Sequence, residues 1–156
     1  MDQAAFLRFL LETSRRGYAA GSNAIKTREA DQSTTIVVEQ GEWRFHDNYF
    51  GGEPYGGREV VFFRGQPVWM AVYYGYVQKN TTTDSVYSFL QRALRDAPAD
   101  FPVRGPEVLM EGRFSYRNVH DGGVNSFSGH ETIQEDGQVV YAAHYAGGLV
   151  DRRAGD

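Results

Sequence analysis

Two glutamates, Glu59 and Glu131, stand early in otherwise apolar segments, in the matching contexts Tyr55-x-Gly57-x-Glu59 and Phe127-x-Gly129-x-Glu131. A carboxylate in such a place must be paired, exposed or raised in pKa. Each therefore has two readings: a fastening that ties down the loop before its own hairpin through backbone N–H groups, or a pocket acid or base. Close by lies Phe45-His46-Asp47-Asn48-Tyr49-Phe50-Gly51-Gly52, richer in polar groups than a strand end needs. Asp47 and Asn48 suit an Asx-type turn into the glycines, or Asp47 and Tyr49 suit a ligand site. Trp69 and Tyr73 alternate along one segment and share a face, as do Tyr141 and Tyr145, giving either core packing or a stacking wall for a planar ligand.

The remaining chemistry is sparser. His46, His120, His130 and His144 lack metal-ligand spacing, and there is no cysteine, so no metal, cofactor or disulfide is expected. Ser115, Ser126 and Ser128 carry no nucleophile-elbow signature, and the glycine pairs have no Lys-Ser/Thr after them to make a phosphate loop. If the chain is an enzyme, Asp47 or Glu59 is the base and Tyr73 or His144 the donor to a developing negative charge.

The elements that must position these groups come in two copies. Gly65-Gln66-x-Val68-Trp69-x-Ala71-x-Tyr73-x-Gly75 recurs as Gly137-Gln138-x-Val140-Tyr141-x-Ala143-x-Tyr145-x-Gly147, every match 72 positions later. Ile36-x-Val38-Glu39 matches Val108-x-Met110-Glu111 at the same spacing, and Trp43-x-Phe45 matches Phe114-x-Tyr116 at 71. The pattern predicts an α+β fold: a tandem duplication of a helix plus a four-stranded antiparallel meander, with cystatin-like or cone-type halves.

Helices are expected at residues 2–16, capped by Asp2 and stopped by Gly17, and after Thr81–Thr83 and Asp84, with Val86, Tyr87, Leu90, Ala93 and Leu94 on one face. Strands are expected at 36–39, 42–49, 58–63, 67–76, 108–111, 113–118, 130–134 and 139–145. Strands apolar on both faces imply that both faces are covered, one by a helix and the other by the second half or a partner chain. The polar stretch 17–35 reads as mobile or as lying over a site, a flap or frayed loop, and Pro98 to Pro106 as a rigid connector. These elements form one compact domain, 1–156, of two pseudo-repeats (2–78 and 79–151) with a frayed tail at 152–156.

A net charge of −4 disfavours a phosphate-binding surface, and Arg15-Arg16, Arg92 with Arg95, and Arg152-Arg153 read as solvated or helix-end charges, so direct nucleic-acid binding is not expected. With no long apolar run and no basic-then-apolar N-terminus, a cytoplasmic protein with no membrane contact is the default.

The combination Phe6-Leu7, Asp47-x-Tyr49-x-Gly51-Gly52, Tyr55-x-Gly57-x-Glu59, Gly65-x-Pro67-Val68-Trp69, Tyr73-x-Gly75, Arg104-Gly105-Pro106, Phe127-x-Gly129-x-Glu131 and Gly147-Gly148 resembles a bacterial domain-of-unknown-function family. That family is found at the C-terminus of XRE-type helix-turn-helix transcriptional regulators and as stand-alone proteins. The resemblance implies a sensory, ligand-binding role. Val72 stands where the family pattern has Asn, which removes any polar contact made there. No helix-turn-helix precedes Phe6, so DNA reading in the manner of a fused regulator is not expected.

Three functions follow as expectations. The first is a small-molecule sensor with Asp47, Tyr49, Glu59, Trp69 and Tyr73 lining its pocket. The second is a small cone-type enzyme using carboxylate and tyrosine acid–base chemistry. The third is a protein-interaction module, a homodimer or the partner of a separate regulator, using an exposed patch of Val72, Tyr74 and Tyr76. Where the halves differ, at His46, Asp47 and Tyr49 against Arg117, Asn118 and His120-Asp121, a site in one half only is expected.

Overall fold

Asp2 accepts from the Ala4 amide at 3.0 Å and opens the first helix, α1 (Gln3–Arg16), which ends where the Gly17 amide bonds Thr13 O at 2.8 Å. The computed structural model describes residues 2–78 and 81–151. The proposed tail at 152–156, with Arg152 and Arg153, therefore lies outside the described residues. The strands are β1 (Lys26–Arg28), β2 (Thr34–Gln40), β3 (Trp43–Gly51), β4 (Tyr55–Phe63), β5 (Gln66–Val77), β6 (Val108–Glu111), β7 (Phe114–Gly123), β8 (Ser126–Glu135) and β9 (Gln138–Leu149). The second helix, α2 (Thr83–Arg95), lies between β5 and β6, so the fold is a strand-dominated α+β arrangement.

All nine strands form one antiparallel sheet in the order β1-β2-β3-β4-β5-β9-β8-β7-β6. Two meanders are thus joined edge to edge along β5 and β9, with Tyr73 opposite Tyr145 at the middle of the seam. The β4–β5 ladder shifts register between Val61 and Phe62, and the β8–β9 ladder between Ile133 and Gln134, 72 positions on. Such shifts bend a strand and strengthen its twist, here at corresponding places in both meanders.

Strand alternation sends Phe45, Val61, Trp69, Ala71, Phe127 and Tyr145 to the face where α1 packs with Phe6, Phe9 and Leu10. On the same face α2 lays Val86, Phe89, Leu90 and Ala93 against Tyr116, Ile133, Tyr141 and Ala143. The expectation that the second half covers the far face of the first is not met. The halves continue one another side by side, both helices sit on one face, and the other face is open among the described residues. Val72, Tyr74 and Tyr76 stand there, Tyr74 at 54% exposure.

The stretch 17–35 is not a frayed loop. It holds a short 3-10 helix (Tyr18–Asn23), pinned to α2 by the Arg95 guanidinium donating to Ala19 O at 2.7 Å, and then β1 at the sheet edge. The connector after α2 turns inward: Phe101 is buried and stacks on His120, ring centroids 3.8 Å apart, and Arg104 follows it into the interior. No helix among the described residues is long and apolar enough to cross a membrane.

Candidate functional site

Between the helices and the first meander lies a cavity of about 290 Å³, toward the small end for ligand sites. Asp47 and Tyr49 reach it from β3, Tyr55 and Glu59 from β4, and Tyr73 from β5, because period-two alternation puts all five on the helix-facing side. Tyr18, Lys26 and Thr34 close one flank, Tyr87 and Gln91 of α2 another, and Arg104 enters from the connector. Asp47 and Asn48 do not form a turn: β3 continues to Gly51, and Asn48 points to the opposite face, donating to Ser33 Oγ and Thr35 Oγ1.

Asp47 and Glu59 are directly opposed across β3 and β4. Asp47 is 3% exposed and accepts from the Tyr73 hydroxyl at 2.5 Å. Burial pushes Asp47 up to about 6, against the Tyr73 hydrogen bond and the Arg104 and Lys26 charges. Glu59 is packed about by protein, yet part of the residue stays open through the cavity, and it has no hydrogen-bond partner among the described residues. Burial, aided by the Asp47 charge and opposed by Arg104, raises Glu59 to about 8. At neutral pH the opposed pair therefore retains a proton that ordinary carboxyls would have lost. Burial and the Asp47 and Glu59 charges also push Tyr73 well above its ordinary value, so it remains a donor.

The other half shows the same framework fully satisfied. Glu131 is 0% exposed, pairs with Arg104, and accepts from Tyr116 at 2.5 Å and Tyr141 at 3.0 Å. Its fastening thus uses side chains and not the backbone amides expected. Asn118, opposite Glu131 across β7 and β8, accepts from Tyr145 at 2.6 Å and donates to Gly105 O at 3.0 Å.

The two tyrosines that hold Glu131 have Phe45 and Trp69 at the matching positions of the first half, neither with a hydroxyl. The Trp69 indole N–H is already committed to Val124 O at 2.8 Å. Glu59 is left without partners for this reason. Burial works against the Arg104 charge, but Glu131 and the surrounding tyrosines hold its pKa above the ordinary value, and its Nε is buried without a partner.

Four of the five expected pocket residues, Asp47, Tyr49, Glu59 and Tyr73, line this cavity. Trp69 does not. It is 0% exposed and stacks on Phe127 at 5.7 Å, bordering only a small void of about 40 Å³ beneath the site. His144 and His46 point to the opposite face of the sheet. His144 borders a shallow groove with His130, Val72 and Val119, and the His46 Nδ1 is buried without a partner, burial and Arg58 lowering its pKa. Neither belongs with the carboxylates.

Arg104, Tyr18, Tyr55 and Tyr87 were missed. Arg104 had a local signal, a lone cation in the apolar connector Phe101-Pro102-Val103-Arg104-Gly105-Pro106. Tyr18 and Tyr87 had none, since they meet the site only through packing of distant segments. Among the described residues no group of three or more His, Asp or Glu has metal-holding geometry.

No curated protein and no solved structure matches the chain. A family model, Domain of unknown function (DUF5680), matches residues 47–150. The match begins at Asp47 and takes in Glu59, Tyr73, Arg104 and Glu131, while Tyr18 and Lys26 precede it. Covering about two thirds of the sequence, it makes this chain a member of the DUF5680 family.

Proposed function

We propose that this chain is a small-molecule-binding domain of sensor type, with its site in the first half only. The observation that carries the reading is the contrast between the two glutamates. Glu131 has three side-chain partners and no room, whereas Glu59 has none and faces a cavity. An unpaired buried carboxyl costs stability, and a fold that keeps one is consistent with a group that a ligand completes. The halves descend from one duplicated unit, supported by the 72-position matches and register shifts. Association with a transcriptional regulator in the cytoplasm fits the resemblance of the motifs.

A ligand-observed NMR and thermal-shift screen of the intact chain tests the site. Hits are expected to weaken on Glu59→Gln and Tyr73→Phe and to be indifferent to His144→Ala on the far face. Hits that ignore Glu59 and Tyr73, or a screen with none, would sink the reading.

Acid–base catalysis is the second reading, favoured by the convergence of Asp47, Glu59 and Tyr73 in one cavity. Protonated Glu59 would serve as general acid and ionised Asp47 as base, with Tyr73 orienting it. Deuterium exchange from D₂O into a C–H of a bound compound, lost in Asp47→Asn, supports it; binding without any exchange or turnover leaves a sensor. The open face bearing Val72, Tyr74 and Tyr76 is the surface for a second copy or a regulator, and a strict monomer by light scattering removes the homodimer.

A further inference from the structure

The geometry points to a ligand that carries a positive charge: a small organic ammonium, its nitrogen held between the Asp47 and Glu59 carboxyls and its carbon skeleton against tyrosine rings. This rests on the small-molecule reading above and names the class of ligand.

Three observations carry it. The first is the facing pair itself. Asp47 and Glu59 are opposed across two strands, with only the Tyr73 hydroxyl donated to Asp47 and nothing donated to Glu59 among the described residues. An ammonium has three donors and no acceptor, so it can serve both carboxyls at once.

The second is the balance of charge. Four charged side chains face Glu59 from the elements around it: Asp47 on β3, Lys26 on β1, Arg104 on the connector and Glu131 on β8. Arg104 is already paired with Glu131, and Lys26 is exposed at the mouth, its Nζ 5.8 Å from the Tyr18 ring centroid. Asp47 and Glu59 remain without a full counter-charge, and a cation supplies one where an anion would meet two carboxyls.

The third is the wall. Tyr18, Tyr49, Tyr55 and Tyr87 line the same cavity, with Tyr55 5.9 Å from the rings of both Tyr73 and Tyr87. The negative faces of aromatic rings attract cations, most strongly where water is excluded.

The inference predicts coupling to protons. A cation between the carboxyls favours the ionised form of each, so binding near neutral pH should release protons, whereas a neutral ligand accepting from protonated Glu59 would not.

Calorimetry of the intact chain with three matched probes, phenethylammonium, 2-phenylethanol and phenylacetate, tests this. The ammonium should bind roughly tenfold or more tighter than the alcohol, the acid weakest of all. Titrations in two buffers of different ionisation heat should show net proton release for the ammonium only. Glu59→Gln should weaken ammonium binding by about tenfold, a larger loss than it causes for the alcohol, and reduce the proton release. Asp47→Asn is the independent second variant, expected to act in the same direction.

Tighter binding of the alcohol or the acid overturns the cationic class and leaves the pocket standing. Ammonium binding that ignores both carboxyls also overturns it. If none of the three binds, the cationic class fails, and neutral hits from the NMR screen that depend on Tyr73 would show that the pocket survives it.

Discussion

Tyr73 donates its hydroxyl hydrogen to Asp47 at 2.5 Å, and Tyr145 makes the matching bond to Asn118 at 2.6 Å, on either side of the seam where the two tyrosines oppose one another. The frameworks coincide and the chemistry does not. One acceptor is a carboxylate beside a second, unpaired carboxyl. The other is an amide beside a glutamate whose charge Arg104 answers.

The first prediction concerns pH. Glu59 sits at about 8 and Asp47 at about 6 in the fold, both above ordinary carboxylates, so between those values and about 4 the folded chain binds more protons than the unfolded one. Their contribution to stability is fully present at acid pH and is lost as pH rises through about 6 and then about 8. Denaturant melts of wild type and Glu59→Gln from pH 5 to 9 should diverge, the variant holding its stability at pH 9 by about 1–3 kcal/mol more. Parallel curves would contradict the raised Glu59.

Tyr73→Phe removes the donor that opposes the rise in Asp47. The Asp47 midpoint, followed by carboxyl NMR, should move upward from about 6 by about one unit. An unchanged or lower midpoint would show that the short bond does not govern Asp47.

Arg104→Met should cost about 3–5 kcal/mol, because it strands a fully buried Glu131 with only two tyrosine donors. Adding Glu131→Gln should restore part of that loss. A double variant no more stable than Arg104→Met would mean that the guanidinium acts chiefly by packing.

Trp69→Phe should lower stability by about 1–3 kcal/mol, from the lost bond to Val124 O and the smaller ring, without changing affinity for pocket ligands. Lost affinity in a variant that still folds would place Trp69 in the site.

Gly57→Ala tests how the site wall is held. A Cβ there would lie 2.4 Å from Asn48 O and 2.6 Å from Tyr49 Cβ, so β3 must shift beneath Tyr49. A stability loss of about 1–3 kcal/mol and weaker ligand binding are expected.

Much of the framework was legible in the residues, since it is local or periodic. Asp2, Gly17 and the apolar face of residues 6–13 mark α1, and alternation marks the core of every strand but the short, fully exposed β1, with the 108–111 strand read to its ends. Strand limits elsewhere ran short where polar residues continue the ladder, as at Ser126 to Gly129 of β8. His144 illustrates the limit of reading residues by type: its neighbour Tyr145 faces the core, so strand alternation sends the histidine to the opposite side.

The amino-acid sequence alone determined eight of the antiparallel strands, the Asp2 cap of α1, the matched halves and the suspicion that falls on Glu59, because these depend on spacing and on the cost of a charge among apolar neighbours. Only the tertiary structure decided which glutamate is free. Glu59 and Glu131 have the same local context, and their difference comes from Arg104, reaching in from the connector, and from Tyr116 and Tyr141 on strands remote in sequence. Partners of that kind meet only when the sheet has closed along β5 and β9 and both helices have settled on one face.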